Sequence, residues 1–205
     1  MTLRLLIRAF DAWLSRTLGV FEFCEDPECL LRLQLARASH DLCLPGGAVQ
    51  AGEPVLLLHL LNGRIAPIPP QGPDLSWAMP MQRRFVYSLR RVARYIQQSP
   101  QLADVCAVGG VTVLAGPGNG GGSHMLQRLG FTLIPYHRPL GAFGEFWENF
   151  YTWLLMWAYN PGSLHYRRLW GLKRVEIWMS AEEFLRRYSP RIHEFSNHPP
   201  QAPGE

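Results

Sequence analysis

Four residues between positions 24 and 43 carry metal-ligand chemistry, since Cys24, Cys29, His40 and Cys43 run as C-x4-C-x10-H-x2-C. Three thiolates and an imidazole would make a tetrahedral zinc set. The spacing matches no standard knuckle or ribbon, so it favours small core residues in strands, assigns no metal and leaves zinc open. A second stretch, GPGNGGGSHMLQRLGF from Gly116 to Phe131, packs five glycines into seven residues. Gly116, Gly118 and Gly121 fit G-x-G-x-x-G, but the acidic residue a dinucleotide site needs about 20 positions on is badly placed. No Lys follows the glycines, as a nucleotide-triphosphate loop would require. Gly118, Gly120, Gly121 and Ser123, ahead of a helix, still offer backbone amides to an anion, with a connecting loop as the competing reading. A third candidate is the stripe Arg83, Tyr87, Arg90 and Arg94, spaced i, i+4, i+7 and i+11 on one helix that contains no Asp or Glu. Such a stripe suits phosphate groups, or is a solvated helix face.

The elements that must position these residues follow from periodicity. Leu3, Leu6, Ile7, Phe10, Trp13, Leu14 and Leu18 share one face of a helix, Arg4, Arg8, Asp11 and Ser15 share the other, and Gly19 ends it. LRLQLARA, Leu31 to Ala38, alternates as a half-buried strand does. Turn signals at Pro45-Gly46-Gly47 and Gly52-Glu53-Pro54 precede the apolar run Val55 to Leu61, predicting two or three antiparallel strands. Five prolines between Asn62 and Pro80 predict an irregular surface loop. A helix from about Met81 to Gln98 follows, buried through Phe85, Leu89, Val92 and Ile96. VCAVGGVTVLAG is a strand, SHMLQRLG a short helix with Gly130 past its end, and FTLI a further strand. The aromatic helix Phe143 to Tyr159 is too short and too acidic to span a membrane. It is either a core helix or one that shares its tryptophans with a membrane interface. RVEIWM is the last strand, and Ser180 with Glu183 forms the capping box of SAEEFLRRY.

Short strands interleaved with helices define an α+β single domain, a mixed or antiparallel sheet with packed helices behind an amphipathic N-terminal helix. Residues 1–19 form that helix, 20–189 the domain, and the proline-rich segment 190–205 reads as a disordered tail. The 205 residues carry a formal net charge of +4, almost all from nineteen Arg beside the single Lys173. Guanidinium prefers bidentate anion contacts and aromatic stacking. Arg4, Arg8 and Asp11 interrupt any secretory leader, which predicts a cytoplasmic protein, peripheral at the inner face of the membrane, with reduced thiols.

The order of the first helix, GEPVLLLHLLN (Gly52 to Asn62), VGGVTVL (Val108 to Leu114), LQRLGFTLIP (Leu126 to Pro135) and VEIWMSAEEFLRRY (Val175 to Tyr188) resembles the YkoP-like domain family. That family comprises small bacterial proteins and domains attached to polysaccharide deacetylases. The resemblance implies a place in cell-envelope polysaccharide or lipid metabolism, with anionic lipid or envelope-glycan enzymes as partners. It points to His59 and Asn62 as the candidate catalytic residues, against a core histidine as the plainer reading of His59. The expectation is a non-catalytic accessory domain without a cofactor. Strand, glycine loop, helix and LGF strand also resemble the GNAT acetyltransferases in outline. That alternative implies an acyl-CoA-dependent transferase with the Gly116 to Ser123 loop on the pyrophosphate and His59 as base, although the arginine or glutamine such loops carry before the glycines is absent. Nucleic acid is disfavoured, because the arginines are not interleaved with exposed aromatics in a recognised module.

Overall fold

The computed structural model describes residues 2–69, 71–113, 120–137, 141–166 and 172–189. Gly118 and the segment 190–205 lie outside these residues. Five strands form one sheet in the order β1-β4-β5-β7-β6: β1 (Leu31–Arg37), β4 (Pro54–Leu60), β5 (Ala107–Thr112), β6 (Thr132–Pro135) and β7 (Val175–Ser180). Only β4 and β5 run parallel; the other neighbours are antiparallel. Between β1 and β4 the short strands β2 (Leu42–Leu44) and β3 (Gly47–Val49) make a separate hairpin. The expected α+β fold is therefore present, with a mixed sheet.

Strand alternation sends successive side chains to opposite faces, and each face carries its own layer. On the first face Leu31, Leu33, Leu56, Val108, Ile177 and Met179 pack with α2 (Leu75–Gln98), α3 (Gly120–Arg128) and α5 (Ala181–Tyr188). Leu89, Val92 and Ile96 of α2 are buried there as the periodicity predicts, and Phe85 is half-buried. On the second face Val55, Ala107 and Trp178 pack with the β2–β3 hairpin. Arg32 and Gln34 of β1 point to the same side and meet α1 (Leu3–Thr17), which lies against α4 (Gly141–Tyr159).

Local signals explain most of the boundaries. Gly19 adopts φ 72° just past α1 and Gly130 φ 93° past α3, the left-handed region a side chain disfavours. Ser180 caps α5 by accepting from the Glu183 amide at 3.3 Å. Two boundaries depart from the sequence reading. The stretch expected to be irregular up to Pro80 is helical from Leu75. Asp74 accepts from the Trp77 amide at 2.9 Å and so starts α2 early, and Pro80 is carried inside the helix at the expense of the bond its N–H would have made to the Ser76 carbonyl. Likewise α3 begins at Gly120, so Gly120 and Gly121 belong to a helical first turn and not to an extended loop.

Candidate functional site

The first helix docks through its polar stripe. Its one buried residue is Asp11, whose carboxylate accepts from Tyr151 Oη at 2.9 Å and Tyr159 Oη at 3.1 Å, with Arg32 Nη2 at 3.9 Å. Arg8 donates to the Ala158 carbonyl at 2.8 Å and lies over the Tyr159 ring, and Arg4 lies over Trp157. The polar stripe therefore turns toward the body. Ile7 and Leu14 are half-buried beside it, while Leu3, Leu5, Leu6, Phe10, Trp13 and Leu18 remain 49–61% exposed.

The partner helix α4 adds to this surface. Arg4 meets Trp157 and Phe10 meets Tyr151, so the two helices run antiparallel, and Trp147 lies a further turn toward the C-terminal half of α1. Trp147 is 50% exposed and Phe143 75%. The remaining described aromatics of α4 are half-buried, which removes the choice of an enclosed core helix. Exposed apolar side chains on two neighbouring helices, with flanking arginines, form a ridge of the kind that a helix lying in a membrane interface presents.

Beneath the ridge lies a polar layer that includes His59. His59 stands opposite Arg32 in the β1–β4 register, and its Nε2 is 2.9 Å from Gln34 Oε1. Burial, with Arg32 acting in the same direction, lowers its pKa to about 4 against the opposing pull of Asp11. A folded pKa below the unfolded value of about 6.5 means stability present in full above that value and lost as pH falls through 4. The unfolding free energy of the native chain is expected to fall by on the order of 2–3 kcal/mol more across this window than that of His59→Gln. Urea unfolding at a series of pH values checks this, and parallel curves would refute it. Asn62 opens a single 3-10 turn, Asn62–Arg64, and is half-buried, with no side-chain hydrogen bond among the described residues.

The arginine stripe is divided. Arg83, Arg90 and Arg94 are exposed, and their side chains make no hydrogen bond or ion pair among the described residues. Tyr87 is half-buried and donates to Asp26 from the segment before β1, an arrangement that lowers the Asp26 pKa and raises that of Tyr87. Arg84 is fixed beside it, donating to the Pro27 and Arg64 carbonyls and pairing with Glu28 at 3.1 Å.

The cysteines also separate. Cys24 and Cys29 are buried next to Ser88 of α2 on the first face, whereas His40 and Cys43 belong to the hairpin side on the second. Among the described residues no group of three or more His, Cys, Asp and Glu side chains is placed to hold a metal. His40 instead faces Glu176 at 3.6 Å. Glu176 is buried and accepts from the His137 amide at 2.9 Å and from Trp178 Nε1 at 2.8 Å, which ties the hairpin to β7. No sequence pattern marked this cluster. Ser123 is half-buried in α3, which packs on the first face, while His59 belongs to the second; residues 116–119 of the loop in the transferase reading lie outside the described residues.

Fold and surface thus define a single α+β sheet domain with an N-terminal helix that turns apolar side chains outward. The YkoP domain family matches residues 24–188, and the chain belongs to that family. The match starts after α1. No curated protein and no solved structure matches the chain. No described helix is long and apolar enough to cross a membrane.

Proposed function

We propose that this protein is a non-catalytic accessory module that docks on the cytoplasmic surface of a membrane and serves cell-envelope polysaccharide or lipid metabolism. One observation carries the reading: α1 turns Leu6, Phe10 and Trp13 outward, continued by Trp147 of α4. A soluble domain gains by covering apolar area of this kind, at about 1.5–3 kcal/mol for each large side chain fully buried. The only acid of α1, Asp11, is turned inward to Arg32 and accepts from two tyrosine hydroxyls, so Arg4, Arg8 and Arg16 leave the outer side of α1 net positive. This arrangement favours an anionic lipid surface. The envelope connection rests on the family.

Flotation with vesicles of phosphatidylglycerol and phosphatidylethanolamine tests it. Phe10→Ser/Trp13→Ser is expected to weaken partitioning about 30- to 100-fold, two half-exposed anchors being lost. Arg83→Ala/Arg90→Ala/Arg94→Ala should leave it nearly unchanged, because α2 lies on the other side of the sheet. Native protein that stays with the soluble fraction would end the reading.

A further inference from the structure

The basic residues on the far layer converge from three helices. Gln82 of α2 with His124, Met125 and Arg128 of α3 line an open cleft of about 360 Å³, within the span of roughly 300–1,000 Å³ usual for small-molecule sites. Arg187 of α5 donates to the Arg128 carbonyl and lies across Gly130. Arg187 and Arg90 of α2 both stand within electrostatic reach of the Tyr188 hydroxyl, which donates to the Leu129 carbonyl at 2.6 Å. Arg90, Arg128 and Arg187 therefore gather around the C-terminal end of α3. Neither α2 nor α3 contains an acidic residue, and of the two on α5 Glu183 is engaged by Arg186, on which Glu182 also acts.

We infer that this cleft binds the phosphate or pyrophosphate group of a small phosphorylated molecule. Guanidinium forks match phosphate oxygens in geometry as well as charge, and Arg128 in the cleft and Arg90 beside it have no carboxylate partner among the described residues. Met125 supplies apolar contact and Gln82 and His124 hydrogen-bonding groups for the rest of the ligand. The cleft opens on the layer remote from α1, so its phosphate is not a headgroup of the bilayer on which α1 would rest. This proposal is independent of membrane docking and is tested without lipid.

Isothermal titration calorimetry of the full chain uses sodium pyrophosphate, ADP and a single-stranded oligonucleotide as separate probes. Saturable pyrophosphate binding is expected, weakened about tenfold or more by Arg128→Gln and by Arg90→Gln and unchanged by Arg16→Gln on α1. Arg128 lines the cleft, Arg90 stands near Tyr188 beside it, both are exposed, and unaltered thermal unfolding would confirm that the variants fold. Tighter binding of ADP than of pyrophosphate would support the site and add a nucleoside to its ligand. Absence of pyrophosphate binding, an equal loss in Arg16→Gln, or binding of the oligonucleotide alone would overturn it.

Discussion

Gly109→Ala is expected to cost more than about 4 kcal/mol and to leave little folded protein. The reason is backbone proximity. A Cβ at position 109 would stand 2.1 Å from the Ile177 carbonyl oxygen and 2.5 Å from Cε3 of Trp178. Gly109 pairs with Trp178 at the centre of the sheet, so β5 and β7 would have to move apart. The Trp178 indole has little room to yield, since its Nε1 is held by Glu176 and its ring is part of the hairpin core. Gly110→Ala provides the comparison, because its Cβ would meet the Leu58 carbonyl oxygen at 3.0 Å and nothing nearer. That change is expected to cost about 1–3 kcal/mol, as moderate overpacking does. Urea unfolding followed by near-ultraviolet circular dichroism ranks the two. Equal stability of Gly109→Ala and the native chain would show that the contact between β5 and β7 is looser than described.

Asp11→Ala is expected to release the first helix. The substitution strands two tyrosine hydroxyls and removes the charge facing Arg32, whose side chain is only 13% exposed. Breaking such a pair by deleting one partner costs about 3–5 kcal/mol. The cation–π contacts of Arg4 and Arg8 remain, at about 0.5–2 kcal/mol each, and together they offset only part of such a loss at its upper end. The loss should be local, because α1 packs chiefly on α4 and contributes no residue to the main core cluster. Hydrogen exchange should show the α1 amides losing protection while those of β4, β5 and β7 keep theirs. Asp11→Asn should fall between, keeping an acceptor and losing the charge. Unchanged protection of α1 in Asp11→Ala would mean that packing, not the buried carboxylate, holds the helix.

Several elements were legible because their causes are local. The alternation of Leu31 to Arg37, the Ser180–Glu183 cap, and the glycines at 19 and 130 act within a few residues, and each lies where the pattern places it. The family resemblance was legible for the same reason, as short motifs in fixed order. Pro80 misled because its cost is local and is offset here by the Asp74 cap and by the packing of the long helix that continues beyond it.

The candidate surfaces were harder to read, and for one reason. A helical wheel establishes that α1 has two unlike faces, but burial goes to whichever face finds partners. Asp11 finds Tyr151 and Tyr159, 140 and 148 residues away, so the polar stripe docks and the apolar one is left in solvent. The same long range removes Tyr87 from the arginine stripe through Asp26, brings Arg187 to the end of α3, and places His40 on Glu176. Amphipathic pattern, turn chemistry and composition therefore reside in the order of residues alone. Which face meets solvent, and which cations keep their charge free for a ligand, was decided by the packing of layers, because desolvation depends on neighbours that sequence spacing does not specify.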